Sequence, residues 1–480
     1  MIKIYKSSNT EINFILRNNF HDYLWFKLSE LIKKLDNLNH KDADILLLML
    51  PAVIIDSQRL LNKSNKEEFF NNCKLKRVSN EPKGDFLVLK KYILKISHFF
   101  SSQKYIYSFD NDLQKHEYAK NCGETFRLIR YYEYFDNRKG NFKKEYINES
   151  NLINIRDILV AAFDYINFQY YSVNLDNFIN LIRDASSYYN FHLENLSGKK
   201  LPQQFWSGTL MAPFNRIFSM AIKRNGGTVV GFDHGVSDGF FDNSLFQPRY
   251  EFDMCNTFVS YGKHIINGLK NLNTFENRIK NSNSVKIATN SIKRKKPIYS
   301  KHYNNKIIFL TNVYNNINEN INLPGPIQTN VQIKLQIDIL NELEKLYGAK
   351  KIIIKFHPDV GDLSKAIIQS KISKEILSTE LPFEDLNPNS CVAVFESIQT
   401  TAFRSAFIGN WPIIVLEMPN VIIQENIRDI LKKRIFFLKC NESNDNEITF
   451  NSEELKRSIN EAKDRSNNND MIDSFYPEEL

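Results

Sequence analysis

Apolar residues recur at helical spacing from Leu24 to Leu38 with lysines between them, and Leu152–Ile182 mixes apolar and polar positions in the same way. Both stretches predict core-facing helices. Ile45–Ile55 is different: a continuous apolar run interrupted by Pro51. It reads as a buried strand or core segment, well short of the roughly 20 apolar residues of a membrane-spanning helix. A polar stretch from Asp136 to Ser150, containing Asn137-Arg138-Lys139-Gly140-Asn141, predicts a surface loop.

From Phe205 the pattern predicts a helix that Gly226-Gly227 ends, followed by a short strand, Thr228–Phe232. Residues 276–305 are rich in Asn, Ser and Lys and carry Lys293-Arg294-Lys295-Lys296 before Pro297, which predicts an interdomain linker.

Beyond it the alternation is regular. Strand Lys306–Leu310, a polar loop with Pro324-Gly325-Pro326, helix Gln328–Tyr347 and strand Lys351–Phe356 make a βαβ unit. A second unit follows in strand Cys391–Phe395, helix Thr400–Ile408, the turn Gly409-Asn410-Trp411-Pro412 and strand Ile413–Leu416. Short, continuously apolar strands of this kind belong to a parallel sheet covered on both faces. The tail past Asn441 predicts one helix, Ser452–Asp464, and there is no internal repeat.

A chain of 480 residues suits two lobes rather than one core. The expected organisation is an N-terminal lobe over 1–275 with helical elaborations, a linker over 276–305, a C-terminal lobe over 306–440 and a helical tail over 441–480. Hydrophobic residues make up 42% and charged residues 25%, the balance of a globular protein and not of a disordered one. The net charge of +8 is modest for this length, so non-specific nucleic-acid binding is not expected. The basic run Lys293–Lys296, with amphipathic N-terminal helices, instead suits peripheral contact with an anionic membrane.

Cys73, Cys122, Cys255, Cys391 and Cys440 are odd in number and widely spaced, with no C-x-x-C pair. They predict free thiols in a reducing compartment. Met1-Ile2-Lys3-Ile4-Tyr5-Lys6 lacks the apolar core of a signal peptide, which adds to the expectation of a cytoplasmic protein.

Three polar clusters fall at predicted strand ends, where loops converge and helix N-termini offer unpaired amides. The first is His357-Pro358-Asp359. Proline stops the strand and leaves an imidazole positioned to donate to a phosphate oxygen, with Lys355 adding positive potential; the plain alternative is a histidine that caps a turn.

The second cluster is Glu396-Ser397-Ile398-Gln399-Thr400-Thr401. Its hydroxyls and helix-start amides form an anion site and Glu396 is placed to accept from ribose hydroxyls or a base; helix capping is the alternative. The third is Asp233-His234-Gly235 with Ser237-Asp238-Gly239. Here the glycines permit close ligand approach, and Asp233, His234 and Asp238 are each candidates for the base that deprotonates an acceptor hydroxyl.

Together these clusters, over Phe205–Glu417, resemble the GT-B glycosyltransferases of bacterial surface polysaccharide assembly, particularly those using CMP-activated ulosonic acids such as Kdo and sialic acids. The resemblance implies an α/β fold of GT-B type, with two Rossmann-like lobes facing an interdomain cleft. It implies that His357 and Pro358 match a His-Pro element holding the CMP moiety, and that Ser397, Thr400 and Thr401 match a hydroxyl-bearing phosphate loop. Lys355, Glu396 and Asn312 complete the donor-binding set, and Asp233-His234-Gly235 matches an acceptor-side loop.

The sialyltransferase acceptor motif has adjacent acidic residues before its glycine, whereas His234 follows Asp233 here. The chain also resembles CDP-glycerol and CDP-ribitol phosphotransferases of teichoic acid synthesis, in which His234 would be the base.

The expected function is therefore transfer of a sugar, a nonulosonic acid or Kdo, from a CMP-sugar to a glycan or glycolipid acceptor. The nucleotide sugar is substrate, no cofactor is expected, and no metal, since no D-x-D motif stands at the end of any of the predicted strands. A scaffold of the same fold that binds nucleotide or glycan without turnover is the non-enzymatic alternative.

Overall fold

The computed structural model describes residues 14–59, 106–110, 113–129, 131–135, 146–167, 172–233, 238–242, 247–273, 279, 285–291, 303–311, 329–357, 360, 362–387, 391–398, 400–419, 421–442, 447–466, 468 and 470–478. The chain divides into two compact units. One comprises Met1–Phe232, Gln247–Val259 and Asn273–Lys286; the other comprises Asp233–Phe246, Ser260–Leu272 and Ile287–Leu480.

The first unit opens with two helices, α1 (Phe14–Asn37) and α2 (Asp42–Arg59). α1 buries Phe20, Leu24, Leu28, Ile32 and Leu35, the i, i+4 stripe expected from its sequence. α2 corrects the strand alternative for Ile45–Ile55. Ile45 through Leu50 and Ala52 through Ile54 are all buried, so the run is apolar because the helix is enclosed on every side.

Pro51 lies inside α2 and has no N–H for the carbonyl of Leu47 one turn earlier. The fully buried Arg216 takes over: its Nη2 donates to Leu47 O at 2.6 Å and its Nε to Leu48 O at 3.1 Å. Burial pushes this guanidinium down to about 10.

The longer helices that follow in this unit are α3 (Leu113–Cys122), α4 (Glu149–Tyr165), α5 (Ser172–Ser197) and α6 (Pro213–Arg224). α4 and α5 bear out the helical reading of Leu152–Ile182. The expected helix from Phe205 starts later: Gln204–Ser207 is a strand whose Phe205 and Trp206 are buried, and the helix begins at Pro213, where the missing N–H costs nothing. Its stop at Gly226, with φ +74°, is as expected.

The strands are β1 (Ile106–Ser108), β2 (Phe126–Leu128), β3 (Gln204–Ser207), β4 (Thr228–Phe232), β5 (Thr257–Ser260) and β6 (Lys286–Thr289), in sheet order β2-β1-β3-β4-β5-β6. β1 pairs parallel with β2 and β3, and β4 with β3 and β5. β6 lies within the stretch that the sequence pattern reads as linker. Lys293–Lys296, Pro324-Gly325-Pro326 and Asn137–Asn141 lie outside the described residues.

The second unit contains α7 (Lys263–Leu272), α8 (Thr329–Tyr347), α9 (Asp362–Lys371), α10 (Thr401–Ile408), α11 (Glu425–Leu431) and α12 (Ser452–Arg465). Its strands are β7 (Ile307–Leu310), β8 (Ile352–Lys355), β9 (Leu377–Thr379), β10 (Val392–Phe395), β11 (Ile413–Glu417), β12 (Phe436–Glu442) and β13 (Ile448–Phe450). The order is β13-β12-β11-β10-β7-β8-β9, all parallel except β13 against β12.

Both predicted βαβ units are present with their expected bounds to within one or two residues. One sheet face presents Ile307, Phe309, Ile352, Ile354, Val392, Val394, Ile414 and Leu416 to a core with Leu335, Ile339 and Leu343 of α8. The opposite face is buried too, through Ile308, Leu310, Ile353, Ala393, Phe395, Ile413 and Val415. The tail helix is α12, but the tail also adds β13 to the sheet.

The α/β class with parallel sheets, expected from the sequence, is the class of the fold. Cys122, Cys255, Cys391 and Cys440 are free thiols, and Cys73 lies outside the described residues. Among the described residues no helix is long and apolar enough to cross a membrane.

Candidate functional site

Counting from β7, the parallel strands of the second unit run 3-2-1-4-5-6 across the sheet, the doubly wound order of Rossmann folds. Chain direction reverses between β7 and β10, and a crevice opens there outside the carboxyl ends of the strands. Two of the three polar clusters lie on this edge.

Leu310 is in register with Lys355 on one side and with Phe395 on the other. The segments after these residues therefore start level, on three adjacent strands covering about 10 Å at the usual strand spacing. Thr311 N donates to Lys355 O at 3.1 Å, and the His357 amide donates to Thr311 Oγ1 at 3.0 Å. Glu396 N donates to Leu310 O at 3.4 Å. Thr311 is thus the pivot of the edge, and the sequence pattern gave no reason to single it out.

Glu396 is buried, and both its oxygens are occupied: Gln332 Nε2 donates to Oε1 at 2.5 Å and Gln336 Nε2 to Oε2 at 2.6 Å, from two positions one turn apart on α8. Its carboxylate is a fixed feature of the crevice wall. Thr400 is the N-cap of α10, its hydroxyl accepting from Ala402 N at 3.3 Å. The capping alternative therefore holds for Thr400, while Thr401 is exposed in the first turn and Ser397 half-buried before it.

Lys355 is buried and its ammonium is pushed down by burial, against the opposing charges of Glu384 and Glu380. His357 is half-buried. Pro358, Asn312 and His234 lie outside the described residues, and so does the side chain of Asp238.

Asp233, directly after β4, belongs to the second unit and is buried, accepting from Ser260 Oγ at 2.6 Å. Beside it Arg404 of α10 donates to Tyr261 Oη at 2.8 Å, and both Asp233 and Arg404 act electrostatically on Tyr476, whose phenol burial pushes up. The third cluster is thereby tied to the helix that starts at the second.

Its downstream half is held on the same unit. Gln424 Nε2 donates to Gly239 O at 3.0 Å, Gln424 N to Phe240 O at 2.8 Å, and Asp242 N to Ile422 O at 2.8 Å. A Cβ at Gly268 of α7 would overlap the Gly239 carbonyl, so only glycine permits this approach. Because Ile422–Gln424 follows β11, the Asp238–Asp242 segment lies along the carboxyl side of the second sheet. Among the described residues, no three His, Cys, Asp or Glu side chains gather closely enough to hold a metal ion.

The family model of the LIC12162 family transferases matches residues 188–433, just over half of the chain. The chain belongs to the LIC12162 transferase family. The LIC12162 match runs from within α5 to just past α11 and includes all three clusters. No curated protein matches the sequence.

Two solved structures are similar at 12% identity. The S. aureus MnaA–UDP co-structure covers 78% of this chain and 92% of its own, with a TM-score of 0.40. A UDP-N-acetylglucosamine 2-epimerase assignment from Listeria monocytogenes covers 78% and 90%, with a TM-score of 0.38.

Proposed function

We propose that this LIC12162 family member is a glycosyltransferase that moves a sugar, a nonulosonic acid or Kdo, from its CMP ester to a hydroxyl of a glycan or glycolipid. The observation that carries the reading is the strand order of the second unit, with His357 and the Glu396–Thr401 segment at the carboxyl ends of strands on either side of the β7/β10 reversal. Membership of a transferase family supports group transfer. The resemblance of the three clusters to CMP-sugar enzymes supplies the donor class.

In this reading the acceptor oxygen bonds to the anomeric carbon as the bond from that carbon to the phosphate oxygen breaks. CMP leaves with the bonding pair, and the acceptor proton passes to a base among Asp233, His234 and Asp238. The His357 imidazole, the Ser397 and Thr401 hydroxyls and the amides at the start of α10 face the developing phosphate charge. Asp233 is already committed to Ser260, which favours His234 or Asp238.

Peripheral contact with an anionic membrane through Lys293–Lys296 brings the site to a lipid-linked acceptor; co-sedimentation with anionic vesicles at low salt tests it, and none would refute it. The donor test is thermal stabilisation by CMP, CDP, UDP and GDP, with CMP expected to give the largest shift. A larger shift with UDP or GDP would overturn the donor class.

A further inference from the structure

The first unit carries a polar cluster to which the donor site assigns no part. β3 pairs with β1 on one side while β2 pairs with it on the other, so the chain reverses between β1 and β3 and opens a crevice at their carboxyl ends. Asp110, two residues past β1, stands there and opens the triplet Asp110-Asn111-Asp112, which corrects the expectation that no D-x-D motif stands at a strand end: β1 is not among the strands the sequence pattern predicts. Its Oδ1 accepts from Ser108 Oγ at 3.0 Å and is ion-paired with the Lys115 ammonium; its Oδ2 accepts from Gly208 N at 3.3 Å. Gly208 directly follows β3, so one carboxylate bridges both strand ends.

The pair is asymmetric. The Asp110 side chain is 35% exposed and that of Lys115 is 0% exposed, so the carboxylate lies at the surface with its counter-charge sealed beneath it. Burial pushes the Lys115 ammonium down to about 7. Stability alone gives little reason for the arrangement, because an apolar pair of similar volume usually does as well.

The β3 side is fixed by Asn215, which is fully buried. Its Nδ2 donates to Ser207 Oγ at 2.9 Å and to Thr209 O at 2.6 Å, and its Oδ1 accepts from Tyr131 Oη at 3.0 Å. This holds the Ser207-Gly208-Thr209 turn with its amide towards Asp110.

Among the described residues Ser108, Lys115 and Gly208 approach this carboxylate, the Ser108 hydroxyl being shared with Asp110 O at 2.8 Å, and a carboxylate offers about four acceptor positions. The carboxylate is exposed on the side away from its buried lysine, where it is placed to accept a hydrogen bond from a hydroxyl. We propose that Asp110, backed by Lys115, recognises a hydroxyl of a sugar or polyol at the β1/β3 edge of the first unit. That this ligand is the acceptor of the transfer rests on the glycosyltransferase reading; the hydroxyl site does not.

The test uses the full chain, saturation-transfer NMR with methyl glycosides of glucose, galactose and N-acetylglucosamine and with glycerol, and calorimetric titration of CMP in parallel. At least one of these probes binds the wild type, Asp110→Asn and Lys115→Met each weaken it about tenfold or more, and CMP affinity stays unchanged. Asp110→Asn is nearly isosteric and partly exposed, so it decides the matter if Lys115→Met fails to fold.

Retained probe binding in Asp110→Asn would overturn the site, as would a wild type that binds none of the probes. Probe binding without CMP binding refutes the donor reading and leaves this site standing; CMP binding without probe binding does the reverse.

Discussion

The His357 backbone amide donates to the Thr311 hydroxyl at 3.0 Å, which ties the carboxyl ends of β7 and β8 together beside the sheet reversal. Valine has the shape of threonine without the acceptor. Thr311→Val is expected to cost about 1–2 kcal/mol in urea unfolding and to weaken nucleotide binding, whereas Thr311→Ser stays near wild type in both. Equal behaviour of the two variants would show that the hydroxyl is idle.

Gln332 and Gln336 both donate to Glu396. Gln336→Leu removes a donor from a buried carboxylate and is expected to destabilise the protein by about 1–3 kcal/mol. The midpoint of chemical unfolding reads this directly. An unchanged midpoint would mean that the carboxylate has another source of compensation.

The link between Arg216 and Pro51 predicts coupling. Arg216→Met strands carbonyls of α2 and costs about 3 kcal/mol or more, while Pro51→Ala restores an N–H for Leu47 O. In a double-mutant cycle the cost of Arg216→Met should fall by about 0.5 kcal/mol or more in the alanine background. Strict additivity would contradict the compensation.

Asp22 gives an acid-range signature. Burial opposes its ionisation, but the hydrogen bond from His21 and the charge of Arg249, at 2.5 Å, outweigh burial and hold the carboxyl at about 2, below its ordinary 3.8. A depressed carboxyl contributes stability above its unfolded value and loses it as pH falls through about 2. The surroundings desolvate the carboxyl in part, yet 59% of the side chain is still exposed to solvent, which screens the pair and limits the contribution to about 0.3–1 kcal/mol. The stability gap between wild type and Asp22→Asn should be present at neutral pH and close by about pH 2; a gap constant with pH would refute it.

Much of the second unit was legible because its strands are unbroken apolar runs such as Ile352-Ile353-Ile354, each ending in a polar cluster. The site was legible only as far as those ends. Gln332 and Gln336 were missed because inward-facing amides on a helix look like solvated ones until their partner is known; their i, i+4 spacing was the one available signal. Thr311 is a single threonine after a strand, and Lys115 is of a type that periodicity sends to the surface. α2 was ambiguous because an enclosed helix and a buried strand share one pattern. The attachment of Asp238–Asp242 to Ile422–Gln424 joins segments far apart in sequence, mostly through backbone groups, which leave no mark on residue type.

The most direct test of the account is calorimetric titration of CMP into the wild type and into His357→Ala. It predicts CMP binding in the wild type, at least about tenfold weaker in the variant, with an unchanged thermal midpoint. Equal affinity in both proteins, or no CMP binding by the wild type, would contradict the placement of the donor nucleotide at the carboxyl edge of the second sheet.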